Sequence, residues 1–426
     1  MAISEAVLET RYQNSYGRAA GFLPRNRSAV DRWHGRLLDR ARGRTGAHLP
    51  PVADLADLLD ADPVLRTLVT QTIKEVLDLF PVDADGDVRT VRTIDDLLNC
   101  LDVVCESAPE YTPVLGDQVF FPLSALFCHM MAVPSGWDTF RHEEFNRRLT
   151  GILTYWCGFL DSKDSREVLP GPDGWLGRAA SEQYKLYEFE VDRDDPYGGF
   201  TSFNDFFHRR VKPEFRPMAE DPRAVISPND GTVVRIYPNV REEVPDITVK
   251  AQPYSLRMML SDYPDTARFV GGDVLQSFLS GADYHRWHAP VAGVVEYVEN
   301  VPGLTFSELY NPTVDLSSGT LSQGYGASVN TRGIVVIDTG SSMGRVCVVP
   351  VGITEISSVT IAVRPGDRVE RGDELGYFSY GGSSMCLVFE RGKVDFTVPM
   401  GEHQGPDVVT DDGGLIFVNQ QIAVPR

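Results

Sequence analysis

The chain has 426 residues, of which 42% are hydrophobic and 23% charged, and a formal net charge of −20. That length exceeds one ordinary domain and implies two or three, and the charge argues against nucleic acid and against an anionic membrane surface as partners. The acidity is uneven: residues 1–50 hold nine arginines against four acidic residues, a basic arm that reads as a solvated or docked terminus. Met1 to Pro24 carries Glu5, Glu9 and Arg11 without the apolar core of a signal peptide. The longest apolar run, Val119 to Val133, includes Pro122 and His129; it is shorter than the roughly 20 residues a bilayer requires and reads as a buried helix. Cys100, Cys105, Cys128, Cys157, Cys347 and Cys386 lie in apolar runs without C-x-x-C spacing. They read as reduced core thiols and place the chain in the cytoplasm.

The first 160 or so residues have helical period. Asp62-Pro63 is an N-cap followed by proline at the first helical position, and Leu65, Leu68, Val69, Ile73, Val76, Leu77 and Phe80 follow at helix spacing. Thr93-Ile94-Asp95-Asp96 resembles a capping box before Leu97, Leu98, Leu101 and Val104. A third helix is expected from near Asp138 to Phe159, and His129 and His142 read as packed or solvated. Asp, Ser, Pro and Gly cluster around Trp175, which sets a boundary between a helical domain, residues 1–170, and a second domain, residues 171–426. A short helix over Phe203–Arg210 ends at Lys212-Pro213. From Ala224 onward short strands and turns take over, including 232–236, 333–337 and 345–349. Pro228-Asn229-Asp230-Gly231-Thr232-Val233 and Pro290-Val291-Ala292-Gly293-Val294-Val295 share Pro-x-x-Gly-x-Val. With Val363–Asp373 they suggest hairpin quasi-repeats in a small barrel or sandwich. The fold class is therefore α+β, helical first and mostly β afterwards.

Three stretches carry chemistry. Tyr380-Gly381-Gly382-Ser383-Ser384 lies between strand-like runs at 374–378 and 385–389. It is either a plain turn or a self-cleaving Gly-Ser bond, in which the Ser383 hydroxyl attacks the Gly382 carbonyl when a base takes its proton. Asp283-Tyr284-His285-Arg286-Trp287-His288 places two histidines three apart, either on one face of a helical turn or flanking a bend. No further Cys or His cluster accompanies the pair, so zinc lacks its third and fourth ligands and no metal is expected. Ser227-Pro228-Asn229-Asp230-Gly231 is a turn with an acid in it. Asp230, His288 and Ser383 together supply acid, base and nucleophile, as in a Ser-His-Asp triad.

In sequence order, Phe203-Asn204-Asp205-Phe206-Phe207, Lys212-Pro213, Arg216-Pro217, Ser227–Gly231, Tyr254-Ser255-Leu256, Asp283–His288, Val349-Pro350-Val351-Gly352 and Gly381–Ser384 resemble the phosphatidylserine decarboxylase family. The resemblance spans about 200–390, and its longer N-terminal arrangement is similar to the soluble fungal L-tryptophan decarboxylase branch. It implies cleavage after Gly382, giving a large chain 1–382 and a small chain 383–426 that remain associated. Asp230 and His288 would assist the cleavage, Ser383 would become a covalently bound pyruvoyl group, and His285 would serve the decarboxylation. That group would form a Schiff base with the substrate amine and take the electron-sink role that pyridoxal phosphate has elsewhere, so no pyridoxal phosphate is expected. The site reads Gly-Gly-Ser-Ser where many relatives have Gly-Ser-Thr, which leaves Ser383–Ser384 as a second possible scissile bond.

The leading expectation is a cytoplasmic, pyruvoyl-dependent decarboxylase of a free and aromatic L-amino acid, with Trp287 and Phe278 as candidate substrate-binding residues. Its alternative is phosphatidylserine decarboxylation, making phosphatidylethanolamine at a membrane reached by the basic arm. A carrier module is the third reading, because 363–377 is similar to lipoyl and biotinyl hairpins. None of the six lysines stands at such a hairpin tip, and none has the His-Lys or Ser-x-x-Lys context of a pyridoxal enzyme.

Overall fold

The computed structural model describes residues 23–24, 27–79, 90–114, 117–243, 254–281, 283–308, 322–355, 358–380, 382–398 and 414–426. Residues 1–22, 25 and 26 of the basic arm, Phe80 and Gly381 lie outside these residues. The chain divides into two compact units. The first comprises the described residues of Met1–Tyr184, Arg193–Asn204 and Leu304–Thr320; the second those of Lys185–Asp192, Asp205–Gly303 and Leu321–Arg426.

The first unit is helical. Asp62 caps the helix Pro63–Leu79 by accepting from the N–H groups of Val64 and Leu65, both at 3.0 Å. Thr93 caps Ile94–Cys105 through the Asp96 N–H at 3.0 Å. The apolar run near Val119 forms the helix Pro122–Ala132, every residue of which is buried. The expected third helix is two, Pro134–Arg141 and Glu143–Leu160, because the chain turns extended at His142. His142 then caps the second helix, whose first turn holds Glu143 and Glu144 where the helix dipole favours them. The cluster around Trp175 belongs to this unit rather than ending it at residue 170. The Trp175 indole donates to the Pro109 carbonyl at 2.7 Å and packs against the Tyr111 ring. Asn146 ties in residues 304–308, donating to the Thr305 carbonyl at 2.7 Å and accepting its N–H at 3.1 Å.

The second unit is mostly β. Its strands are β1 Val225–Ile226, β2 Gly231–Tyr237, β3 Asp273–Leu279, β4 Arg286–His288, β5 Gly293–Val301, β6 Arg332–Asp338, β7 Arg345–Ile353, β8 Val359–Ile361, β9 Arg368–Val369, β10 Glu374–Phe378, β11 Gly382–Phe389, β12 Val394–Phe396, β13 Leu415–Ile416 and β14 Gln421–Pro425. Eight form one sheet in the order β13-β2-β3-β11-β7-β6-β5-β9, and two three-stranded sheets, β1-β14-β12 and β4-β10-β8, complete the unit. The two Pro-x-x-Gly-x-Val turns lead into β2 and β5. Glycine is required at both because a Cβ on Gly231 would lie 2.4 Å from the Phe278 carbonyl, and one on Gly293 2.4 Å from that of Asp338. One hydrophobic core joins the sheets, with Leu275, Trp287, Val335, Val348, Phe378, Leu387 and Phe389 all buried in it.

Candidate active site

The sequence suggested a turn at Gly382-Ser383-Ser384, but these residues open β11. Ser383 faces Leu279 on β3 and Gly352 on β7, and Ser384 faces Phe278 and Val351. Both serines are fully buried, since ladders on both sides leave the strand no solvent edge. Strand alternation sends their side chains to opposite faces. The Ser383 hydroxyl lies 3.3 Å from Nδ1 of His285. The Ser384 hydroxyl donates to the Ser277 carbonyl at 2.8 Å and accepts from the Gln276 amide at 2.9 Å. Gln276 in turn accepts from the Tyr254 hydroxyl at 2.6 Å. Among the described residues the hydrogen-bond partners of Ser384 are Ser277, Gln276 and, at 3.3 Å, the Gln323 side-chain carbonyl, with no imidazole or carboxylate.

His285 is buried against Phe207, whose ring stacks on it at 3.8 Å with 20° between the planes. Burial pushes the imidazole pKa well below its ordinary value, and the Arg209 guanidinium lowers it further; the backbone at Ser280 and Gly281 opposes both in part. The ring is therefore neutral and free to accept the Ser383 proton. Arg209 is itself buried, its pKa lowered by burial to about 10 and pulled back by Asp283 and Asp230. Asp283 accepts the Ser280 N–H at 2.7 Å and fixes the bend that delivers His285, and burial raises its carboxyl to about 6.

The two histidines do not share a face. The backbone through β4 is extended, so residues three apart point to opposite sides. His288 lies with Tyr284, whose ring stacks on it at 5.6 Å and whose hydroxyl is 3.0 Å from Nε2. Its Nδ1 donates to the Gly372 carbonyl at 2.8 Å. Burial lowers its pKa too, against the Gly372 hydrogen bond and the charges of Glu374 and Asp230. Asp230 reaches His288 by field rather than by hydrogen bond. Its carboxylate takes a forked pair from Arg216, Nε at 2.9 Å and Nη2 at 2.6 Å, and the Val418 N–H at 2.8 Å. The structure thus joins Ser383 to His285 and Asp230 to Arg216, and makes no hydrogen-bonded Asp230–His288–Ser383 chain.

The candidate substrate residues are core residues here. Trp287 is fully buried, and its indole lies where a Cβ on Gly376 would come within 2.4 Å of it. Phe278 is buried on β3 beside β11. Sequence reasoning passed over Phe207 and Arg216, which appeared only as members of matched segments. Among the described residues no group of three or more His, Cys, Asp or Glu is placed to hold a metal ion, and no helix is long and apolar enough to cross a membrane.

A family model described as phosphatidylserine decarboxylase matches residues 203–408, and a second of that description matches 49–184. An L-tryptophan decarboxylase of Psilocybe cubensis is 31% identical over 95% of this chain and 94% of its own. Decarboxylase iboD of Amanita muscaria is 34% identical over 63% of this chain and 83% of its own. A phosphatidylserine decarboxylase proenzyme of Chlamydia muridarum is 31% identical over 54% of this chain and 72% of its own. A β unit that buries Ser383 beside a neutral histidine, in a chain matched along nearly its whole length by an L-tryptophan decarboxylase, defines a carboxy-lyase. The chain belongs to the phosphatidylserine decarboxylase family, on the side of its fungal amino-acid-decarboxylating members.

Proposed function

We propose that the chain is a self-cleaving, pyruvoyl-dependent decarboxylase of a free L-amino acid, with aromatic side chains preferred. The observation that carries this reading is the buried Ser383 hydroxyl 3.3 Å from the neutral His285. The Ser383 oxygen attacks the Gly382 carbonyl carbon; the C–O bond forms, the C–N bond breaks, and the freed nitrogen takes a proton. Loss of the Ser383 α-proton and departure of the Gly382 carboxylate leave a dehydroalanine, to which water adds as ammonia departs. The residues present fit a pyruvoyl group: position 383 is dry, heads a strand fixed on both sides, and faces an imidazole.

A pyruvoyl group at 383 supplies an electron sink for the pair released when CO2 leaves the substrate. This chain's residues do the rest. His285 holds the proton to be returned to the substrate carbon, and Phe207 fixes the imidazole plane. Asp230 and His288, given to cleavage by the family resemblance, act on the placement of the scissile segment and not by touching Ser383. Cleavage leaves β11 to β14 on the small chain, and their pairing with β2, β3, β7 and β1 keeps the two chains together. The six cysteines, none of them in a disulfide, support a cytoplasmic enzyme.

The aromatic preference is supported by the tryptophan-decarboxylating relatives, which align along nearly the whole chain, whereas the Chlamydia phosphatidylserine enzyme aligns over 54% of it. A CO2-release assay offering free aromatic amino acids beside phosphatidylserine vesicles tests it. Turnover of an aromatic amino acid is expected; turnover of the vesicles alone would overturn the substrate assignment.

A further inference from the structure

We propose that Arg216 is a positioning residue for self-cleavage, clamping Asp230 against the Val418 N–H so that a segment beyond the scissile bond completes the cleavage site. The inference rests on the reading above that Ser383 attacks Gly382. Arg216 and Asp230 are both buried, their side chains 7% and 6% exposed. Two guanidinium nitrogens face the carboxylate, Nε at 3.0 and 2.9 Å from its two oxygens and Nη2 at 2.6 Å from one. A second carboxylate, Glu188, takes Nη1 at 2.8 Å. Burial works against the Arg216 charge, but Asp230 and Glu188 more than offset it and raise its pKa. A forked, buried pair of this kind fixes direction as well as charge, which a lysine cannot do.

Three distant segments meet at this pair. Asp230 lies in the Ser227–Gly231 turn and receives the Val418 N–H. The same turn takes Gln420 and Asn419 of the C-terminal segment, Ser227 N–H to the Gln420 carbonyl at 2.8 Å and Asn419 N–H to the Ser227 carbonyl at 3.3 Å. Asn419 also donates to the Arg216 carbonyl at 2.8 Å. On its other side the turn receives the His288 N–H at the Pro228 carbonyl, 2.8 Å, and the Ser277 hydroxyl at Asn229, 3.0 Å. The turn thus sets both the strand carrying the histidines and β3, the neighbour of Ser383 on β11. With both Asp230 oxygens engaged, its part in cleavage is to lock this turn, and Arg216 with Val418 holds the lock. Val418 follows the scissile bond by more than thirty residues in sequence, so cleavage waits until the C-terminal segment has been made and has paired.

The test follows conversion of the full 426-residue precursor to two chains by intact mass over time. Arg216→Ala is expected to slow cleavage about tenfold or more, and added ethylguanidinium to restore it in a saturable way, with no effect on Ser383→Ala. Arg216→Lys, which keeps charge but loses the fork, is expected to be slow as well. Wild-type cleavage by Arg216→Ala, or a folded, slow Arg216→Ala that ethylguanidinium does not rescue, overturns the inference. If Arg216→Ala does not fold, Arg216→Lys decides: folded and slow supports the clamp, folded and fast overturns it. A wild-type precursor that never cleaves overturns the Ser383 reading itself, and the two failures are thereby told apart.

Discussion

Ser383 and Ser384 are neighbours on β11 with opposite surroundings: Ser383 meets the His285 imidazole at 3.3 Å, and Ser384 is enclosed by the Ser277 carbonyl and the Gln276 amide. A nucleophile requires a base, so the proposed self-cleavage favours the Gly382–Ser383 bond over Ser383–Ser384.

Ser383→Ala should therefore abolish cleavage, and Ser384→Ala should leave it in place. The second change strands Gln276 without one of its acceptors and should cost about 1–2 kcal/mol of stability. Gel mobility and a denaturant melt of both variants check this; cleavage by Ser383→Ala together with an intact Ser384→Ala would reassign the nucleophile.

His285→Ala should slow cleavage, because Ser383 loses the base in contact with it, and should remove decarboxylation from whatever fraction is cleaved, because the substrate carbanion loses its proton donor. His288→Ala should leave the chain largely uncleaved, because the segment fixed by Gly372 and Tyr284 loses its anchor. Measuring cleaved fraction and CO2 release per cleaved chain separates the two. A His285→Ala chain that cleaves at the wild-type rate would remove the base role that the contact with Ser383 gives to His285.

The Asp283 contribution to stability should fall as pH rises from about 4 to about 6. Asp283 has its folded pKa raised by burial to about 6, above the ordinary carboxylate value. The folded chain thus holds that proton more tightly than the unfolded chain, and the advantage is lost as pH climbs through the folded value. His285 and His288 work in the opposite sense: their folded pKa values are depressed, so their contribution is present above about pH 6.5 and lost on acidification. The Asp283 part is isolated by Asp283→Asn, which should flatten the fall in melting temperature across that window. An unchanged pH profile in the variant would contradict the assignment.

Gly376→Ala should destabilise the second unit by about 1–3 kcal/mol. Its Cβ would come within 2.1 Å of the Thr360 carbonyl and 2.4 Å of the Trp287 ring. Thermal unfolding measures it, and a melting temperature equal to the wild type would show that β10 can shift.

The helical first unit was legible because its signals are local: Asp62 and Thr93 are caps, and apolar residues recur at helix spacing behind them. The break at His142 was not, because a period running from Phe140 to Trp156 conceals one residue that turns extended. The runs at 232–236, 333–337, 345–349, 374–378 and 385–389 were readable as strands, but β3 was not, and neither were the neighbours of any strand. That Ser383 sits inside a strand depends on β3 and β7, more than a hundred and about thirty residues earlier. The residue types of the site were visible in sequence. Their pairing was not: a spacing of three suits one face of a helix, and here the backbone is extended. Arg216 carried no signal of its own, since a buried partner for Asp230 is a property of the folded chain.

The central claim is that the chain cuts itself between Gly382 and Ser383 and converts Ser383 to a pyruvoyl group. Intact mass of the denatured, purified protein measures it most directly. The account predicts two species, residues 1–382 with a free carboxyl terminus and residues 383–426 beginning with pyruvoyl in place of serine and therefore closed to N-terminal sequencing. A single uncleaved chain of 426 residues with full decarboxylase activity would contradict it.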